Sequence, residues 1–341
     1  MEITLEGYYE GAYTNNSAGI ALIAIKNSNV VFEDYRGLAN CEHGIPITSS
    51  TVFNVGSVSK QFTGIAILQL IESKKLCEQD LLVKYIPELK HYADEITIYH
   101  LAHHASGLAD YNDLLWKKAR NNALYSTNAE VLSLLEAQQQ LCFKPGSKME
   151  YCNSNYVLLA IIIERIMNMS LADYMKRNIF DAAGMKHTLV FDEKQPVVPN
   201  RAYGYEQHES DLKCYYVDTL ATGCANVFTS ISDMKLYDDI LYGSKLLGQD
   251  IKKRIYEEGI RSDGEVLSDS CGGYSYGWMI QNKCGQRTLW HTGGDAGFRS
   301  IYVRFYEKRF SVILFCNCSN LNWTSIYKLV NDLYYKFNHD E

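Results

Sequence analysis

Three short clusters in this 341-residue chain combine residue types suited to nucleophilic chemistry. The first is Ser57-Val58-Ser59-Lys60, a serine with a lysine three positions on. On a helix, residues so spaced share a face, so Lys60 should stand one turn from Ser57. A helix start carries partial positive charge that favours an alkoxide. Partial burial would depress the lysine pKa, leaving a neutral amine able to take the serine proton. The second cluster, Tyr151-Cys152-Asn153, begins 94 residues after Ser57. A tyrosine there can pass a proton to a leaving group, and Asn153 can hold a substrate carbonyl. The third, His291-Thr292-Gly293-Gly294, lies 140 residues further on. Its glycines would let a substrate backbone lie against a strand edge, and the Gly294 N–H could join that of Ser57 as an oxyanion donor.

Rival signals are weaker. The S-x-x-K spacing recurs at Ser210, Ser232 and Ser325, but only Ser57 follows a glycine and opens the most apolar helix of the chain. Ser325 falls on the outward face of the last helix, and the other two have polar surroundings. Gly273-Tyr274-Ser275-Tyr276-Gly277 has the G-x-S-x-G form, which needs a strand-to-helix turn with an acid and a histidine downstream. Here WMIQNK follows and reads as strand, and only 66 residues remain, with Asp332 and His339 on or past the final helix. That segment is a glycine-rich entry into a strand. Tyr13-Thr14-Asn15 repeats the Y-x-N spacing but precedes Ser57 in a turn-rich stretch. His103-His104 is expected to pack near a cleft without chemistry, and no histidine or cysteine set has metal-ligand spacing.

Elements of several kinds must bring the clusters together. Residues 19–25 form a buried apolar run that turns at Asn27-Ser28-Asn29 into Val30-Val31-Phe32. A helix is expected over about residues 57–74, apolar on most faces and hence central. Residues 76–240 read as mostly helical, most clearly at 127–140, 154–168 and 170–180. Strands return with YGWMI, FRSIYVRFY and FSVILFC, the last two paired across Glu307-Lys308-Arg309, and an amphipathic helix over residues 323–337 closes the chain. The fold class is α+β: an antiparallel sheet flanked by helices, plus a mostly helical second lobe. Residues 1–75 and 241–341 would form the α/β lobe and 76–240 the helical one, within one catalytic unit and with a cleft between.

Composition bounds the rest. With 47% hydrophobic and 21% charged residues the chain is an ordinary globular one, and at this length about 75% of the unfolded surface can be buried. Thirty-three basic against forty acidic residues give −7, which argues against a nucleic-acid partner. Ten cysteines, none in a C-x-x-C pair, are expected as buried thiols rather than a disulfide framework. The longest apolar runs fall short of the roughly 18 residues of a membrane span. Met1 is followed by neither a basic nor an apolar leader. The expectation is therefore a soluble protein of a reducing compartment, cytoplasmic in location.

S-x-x-K, Y-x-N and H-T-G in this order resemble the serine β-lactamase and penicillin-binding superfamily, in particular the class C β-lactamase-related hydrolases with their DD-peptidases, D-aminopeptidases and esterases. NCEHGIPITSSTVFNVGSVSKQFTGIAILQLIESKKL, ITIYHLAHHASGLADY, MEYCNSNYVLLAIIIERI and HTGGDAGFRSIYVRF extend the likeness over roughly residues 15–320. The resemblance implies Ser57 as acylated nucleophile, Lys60 and Tyr151 as the proton-handling pair, and Asn153 as carbonyl ligand. His291, Thr292, Gly293 and Gly294 would line the opposite wall. It implies no metal and no organic cofactor. The substrate would be a small amide, short peptide, β-lactam or ester; the alternative is an acyl-binding or sensor protein of the same fold that does not turn over.

Departures from the pattern bear on the substrate. True class C β-lactamases usually carry lysine where this chain has His291, which is mostly neutral at pH 7, so the peptidase, amidase and esterase branches fit better. Arg299 could supply a fixed charge, although a surface salt bridge is the expected use. Cys152 replaces the usual serine or alanine, as a space-filler or an alkylation-sensitive thiol. Tyr111, Trp116 and Tyr203 fall where relatives have substrate-facing loops or core positions. The oligomeric state is left open.

Overall fold

A computed structural model describes residues 5–9, 16–118, 126–208, 211–215 and 219–338. Tyr13-Thr14-Asn15, Ser210 and His339 lie outside the described residues. Eight strands form one antiparallel sheet: β1 (Ile20–Lys26), β2 (Asn29–Arg36), β3 (Ser268–Asp269), β4 (Gly272–Ser275), β5 (Trp278–Lys283), β6 (Gln286–Asp295), β7 (Phe298–Phe305) and β8 (Phe310–Cys316). Their spatial order is β3-β4-β5-β6-β7-β8-β1-β2, so the N-terminal hairpin completes a sheet built mostly from the C-terminal third. The β1–β2 turn has Asn27 and Ser28 at φ 49° and 68°, the positive values a tight two-residue hairpin requires. In β1 and β8 nearly every residue is buried, which alternation cannot produce unless both sheet faces are covered.

Both faces are covered by helices. The expected helix over 57–74 begins as a 3-10 turn, Gly56–Ser59, and continues as α1 (Lys60–Glu72). Almost all of α1 is buried, with apolar neighbours on every side, and it packs against α2 (Asn153–Met167). A third helix, α3 (Ile231–Tyr242), packs on β8 and β1. The opposite face takes the closing helix α4 (Trp323–Asn338), whose Ile326, Leu329, Val330, Leu333 and Tyr334 recur at helical spacing and bury against it.

The segment between α1 and α3 contains strands as well as helices. Val227–Ser230 pairs with Val52–Asn54 on one side and Leu189–Val190 on the other. This small sheet ties the residues just before Ser57 to those just before α3. Local periodicity does not reveal such short strands, because two to four residues span too little of either period.

The rival elbow resolves as a hairpin. Tyr276 and Gly277 carry positive φ and turn β4 directly into β5. Ser275 is fully buried, donating to the Arg254 carbonyl at 2.6 Å, so it cannot serve as a nucleophile. None of the ten cysteines forms a disulfide, and against the expectation of buried thiols only Cys152, Cys224, Cys316 and Cys318 are buried. No single helix among the described residues is long and apolar enough to cross a membrane.

Candidate active site

The turn carrying Ser57 is held by its neighbours. Val55 donates its N–H to the Val227 carbonyl, Gly56 donates to Asn54 Oδ1, and Val227 donates to Ser59 Oγ. Ser57 itself is half-buried, whereas Lys60 is 0% exposed. The helical spacing brings Lys60 Nζ to 3.0 Å from Ser57 Oγ. The same nitrogen donates to Asn153 Oδ1 and to the Cys224 carbonyl, both at 2.8 Å. Three acceptors match the three N–H bonds of an ammonium; a neutral amine would instead accept from the serine hydroxyl through its lone pair.

Tyr151 and Asn153 enter from the start of α2. Cys152 occupies the N-cap position without a side-chain cap, and acceptors from residues 104–110 take its place. Cys152 N–H donates to His104 Nδ1 at 3.1 Å, and Asn153 N–H donates to Asp110 Oδ2 at 2.6 Å. Tyr151 has two close neighbours: Lys60 Nζ lies 4.9 Å from its ring centroid, and the His104 ring, tilted by 38°, has its centroid 4.5 Å away. Burial pushes the Cys152 thiol up to about 12 while its Sγ donates to the Leu108 carbonyl, so this is the space-filling thiol and not an alkylation-sensitive one.

Opposite lies β6. Its pairing with β5 ends at Trp290, so residues 291–295 pair only with β7. The other edge of that stretch meets the Ser57 turn. A Cβ on Gly293 would stand 2.1 Å from the Val55 carbonyl, and one on Gly56, at φ +51°, only 2.7 Å from Gly294 N. Glycine at both positions is what allows the two backbones to touch. Thr292 is half-exposed and Gly294 exposed on this wall.

The His291 ring centroid lies 5.9 Å from that of Tyr151. The histidine ring is buried, with Nε2 3.0 Å from the Tyr274 hydroxyl and Nδ1 2.5 Å from the Thr292 carbonyl. A carbonyl only accepts, so Nδ1 carries the proton and Nε2 accepts from Tyr274. Burial, and secondarily the Lys60 charge, push its pKa down to about 3. Side chains alternate along a strand, and here the histidine takes the inward side. Arg299, the register partner of Gly294, makes no ion pair among the described residues, contrary to the expected salt bridge. Its guanidinium donates to the Phe298 carbonyl and lies 3.4 Å from where a Gly294 Cβ would sit.

His103 and His104 are buried as expected, and no metal-holding group of three acidic, cysteine or histidine side chains occurs among the described residues. Tyr111 joins the core, while Trp116 and Tyr203 are exposed. Two functional groups escaped the sequence reading: the Cys224 carbonyl and Asp110. The first is a backbone atom with no signature; the second lies inside the quoted segment ITIYHLAHHASGLADY, where no local spacing marks it out.

Buried neutral histidines make a testable pH signature. His103 is pushed down to about 4 and His291 to about 3, both by burial. An unfolded histidine binds its proton near pH 6.5, so between that value and about 3 the unfolded chain holds more protons than the native one. Stability is therefore full above about pH 6.5 and falls as pH drops through that window. Urea midpoints at pH 7.5, 5.5 and 4.5 should decline stepwise, and His103→Asn should flatten the decline.

A family model described as beta-lactamase matches residues 9–333. Among curated proteins, penicillin-binding protein 4* of Bacillus subtilis (strain 168) is 27% identical over 314 residues, covering 87% of this chain and 67% of that protein. The D-aminopeptidase of Gluconobacter oxydans (strain 621H) is 26% identical over 300 residues, covering 88% of this chain. The chain spans only 55% of that D-aminopeptidase's length. Among solved structures, the octameric penicillin-binding protein homologue of Pyrococcus abyssi superposes with a TM-score of 0.83 at 25% identity, covering 94% of this chain and 74% of that one. The D-amino acid amidase of Ochrobactrum anthropi SV3, complexed with L-phenylalanine amide, shares the fold with a TM-score of 0.81 at 18% identity, covering 99% of this chain and 98% of that one.

Proposed function

The chain belongs to the beta-lactamase family, and from that premise we propose a serine hydrolase that cleaves a small amide, short peptide or ester through an acyl-enzyme on Ser57. The observation that carries this reading is the contact of Lys60 Nζ with Ser57 Oγ at 3.0 Å and Asn153 Oδ1 at 2.8 Å. In the first step Lys60 reacts as the neutral amine: its lone pair takes the proton of Ser57 Oγ as that oxygen attacks the substrate carbonyl carbon, and the lysine becomes the ammonium that Asn153 Oδ1 and the Cys224 carbonyl accept from. The resulting oxyanion lies between the N–H groups of Ser57 and Gly294, on the touching edges of turn and strand. The leaving group departs with a proton handed on by Tyr151, whose ring adjoins the Lys60 ammonium. Water activated by the same pair then attacks the acyl carbonyl and frees Ser57.

His291 supports the choice of substrate class. Buried and neutral, it offers no cation to a β-lactam carboxylate, so amide, peptide and ester substrates are favoured. The relatives named D-aminopeptidase and D-amino acid amidase point the same way. The test is incubation with a fluorophosphonate probe followed by peptide mass spectrometry, beside a panel of D-amino-acid amides, D-alanyl-D-alanine peptides, p-nitrophenyl esters and nitrocefin. The expected result is an adduct on Ser57 and many products per protein molecule from an amide or ester. An adduct on Ser275 would overturn the assignment, and a stoichiometric burst that stops would favour an acyl-binding protein instead.

A further inference from the structure

We propose that Asp110 is a positioning residue for this reaction: its carboxylate sets which end of the Asn153 amide faces Lys60. The inference rests on the reading of Ser57 as nucleophile, and it concerns a residue that contacts neither Ser57 nor Lys60 in any hydrogen bond described above.

The two ends of an asparagine amide are nearly identical in shape and opposite in hydrogen-bonding sense. Turned one way, Asn153 presents Oδ1 to the Lys60 ammonium; turned the other, it sets N–H donors against N–H donors. Sterics do not choose between these, so an acceptor on the far side must. Asp110 Oδ2 accepts from both Asn153 N–H at 2.6 Å and Asn153 Nδ2 at 3.0 Å. An ionised carboxylate can only accept, so Nδ2 must lie on its side and Oδ1 on the Lys60 side. One Nδ2–H remains for a substrate carbonyl.

Asp110 is itself held. Its Oδ1 accepts from Asn112 N–H at 2.9 Å, at the start of the helix Tyr111–Lys118. Ser154 Oγ donates to the Ala109 carbonyl at 2.7 Å and accepts from Tyr111 N–H at 2.9 Å, stitching the two segments together on either side of the aspartate. The carboxylate thus sits at the N-terminal ends of two helices, where negative charge is favoured. A plain helix cap would need only the Asn153 N–H contact; the second bond, to Nδ2, is the one that orients the amide.

The experiment is a double-mutant cycle of D110N and N153A, read as the rate of fluorophosphonate labelling at Ser57 with melting temperature measured alongside. D110N keeps a capping oxygen but no longer dictates the amide orientation. The expected result is labelling slowed at least tenfold by D110N in the wild-type background and less than twofold in the N153A background. Equal factors in both backgrounds would mean a cap and nothing more, and would overturn the proposal. A readout independent of activity is hydrogen exchange of the Asn153 side-chain amide, followed by NMR and assigned by its loss in N153A. Protection in wild type that disappears in D110N supports the positioning role; protection unchanged in D110N overturns it. Wild-type protein that takes no label at Ser57 would instead overturn the hydrolase reading, leaving the exchange measurement to decide the role of Asp110.

Discussion

Lys60→Met is expected to lower turnover of an activated ester by about 10³- to 10⁴-fold, at the upper end of general acid–base effects, while barely moving the unfolding midpoint. The activity loss follows from geometry. Nζ is the only side-chain nitrogen in hydrogen-bond contact with Ser57 Oγ among the described residues, and methionine leaves the serine proton without an acceptor. The small stability change follows from opposing terms. Removing an amine that is 0% exposed relieves a desolvation penalty of several kcal/mol. Against this, Asn153 Oδ1 and the Cys224 carbonyl each lose a donor, at about 1–3 kcal/mol apiece. The sums nearly cancel, so the net should stay within about 2 kcal/mol. Steady-state ester hydrolysis and urea unfolding of the same preparation check both halves. Turnover within tenfold of wild type would remove Lys60 from the mechanism.

Asp238→Ala should show the reverse pattern: a large loss of stability, about 3–5 kcal/mol, with turnover per folded molecule unchanged. Asp238 on α3 and Arg304 on β7 are each 1% exposed. The Asp238 Oδ1 accepts from Arg304 Nε at 2.9 Å, Tyr302 Oη at 2.5 Å and Ser311 Oγ at 2.7 Å. Removing the carboxylate leaves a guanidinium buried beside the Tyr242 ring with no anion, and two hydroxyls without an acceptor. Domains typically have about 5–15 kcal/mol in total, so this is a substantial share. None of these groups lies in the Ser57–Lys60–Asn153 cluster, which is why turnover should survive. The double variant D238A/R304M should recover much of the loss, because it removes the stranded charge as well. Urea midpoints of the single and double variants decide it; equal midpoints for wild type and Asp238→Ala would mean the network is not a stabilising one.

The two variants separate what holds the molecule from what it uses, and the sequence exposes these unequally. Ser57 and Lys60 are recognisable because their contact is local: a helical repeat brings positions i and i+3 together whatever surrounds them. Asp238 carries no such mark. It is one acid among forty acidic residues, and only the packing of α3 across β7 and β8 makes it a buried counter-ion.

Much of the architecture was legible for the same local reason. The β1–β2 and β7–β8 hairpins, the apolar α1 and the amphipathic α4 each declare themselves within a few turns or residue pairs. So did the rejection of Ser275, because a strand rather than a helix follows it. His291 shows where that legibility stops. The H-T-G motif names the residues of the wall, but strand alternation says only that neighbours face opposite ways, not which way is in. That choice goes with the packing: Tyr274 and Tyr302 belong to the buried core, Tyr274 against the His291 ring and Tyr302 opposite it in register.

By itself, then, the sequence determined that Lys60 adjoins Ser57, the proposed nucleophile, and the kinds of element that carry the three clusters, since each follows from spacing along one segment. Only the tertiary structure decided that Lys60 has a third acceptor in the Cys224 carbonyl, 164 residues away, and that Asp110 holds Asn153 across 43 residues. It also decided that His291 looks inward. Contacts between distant segments have no period and no fixed spacing; they exist only once burial has brought the segments face to face.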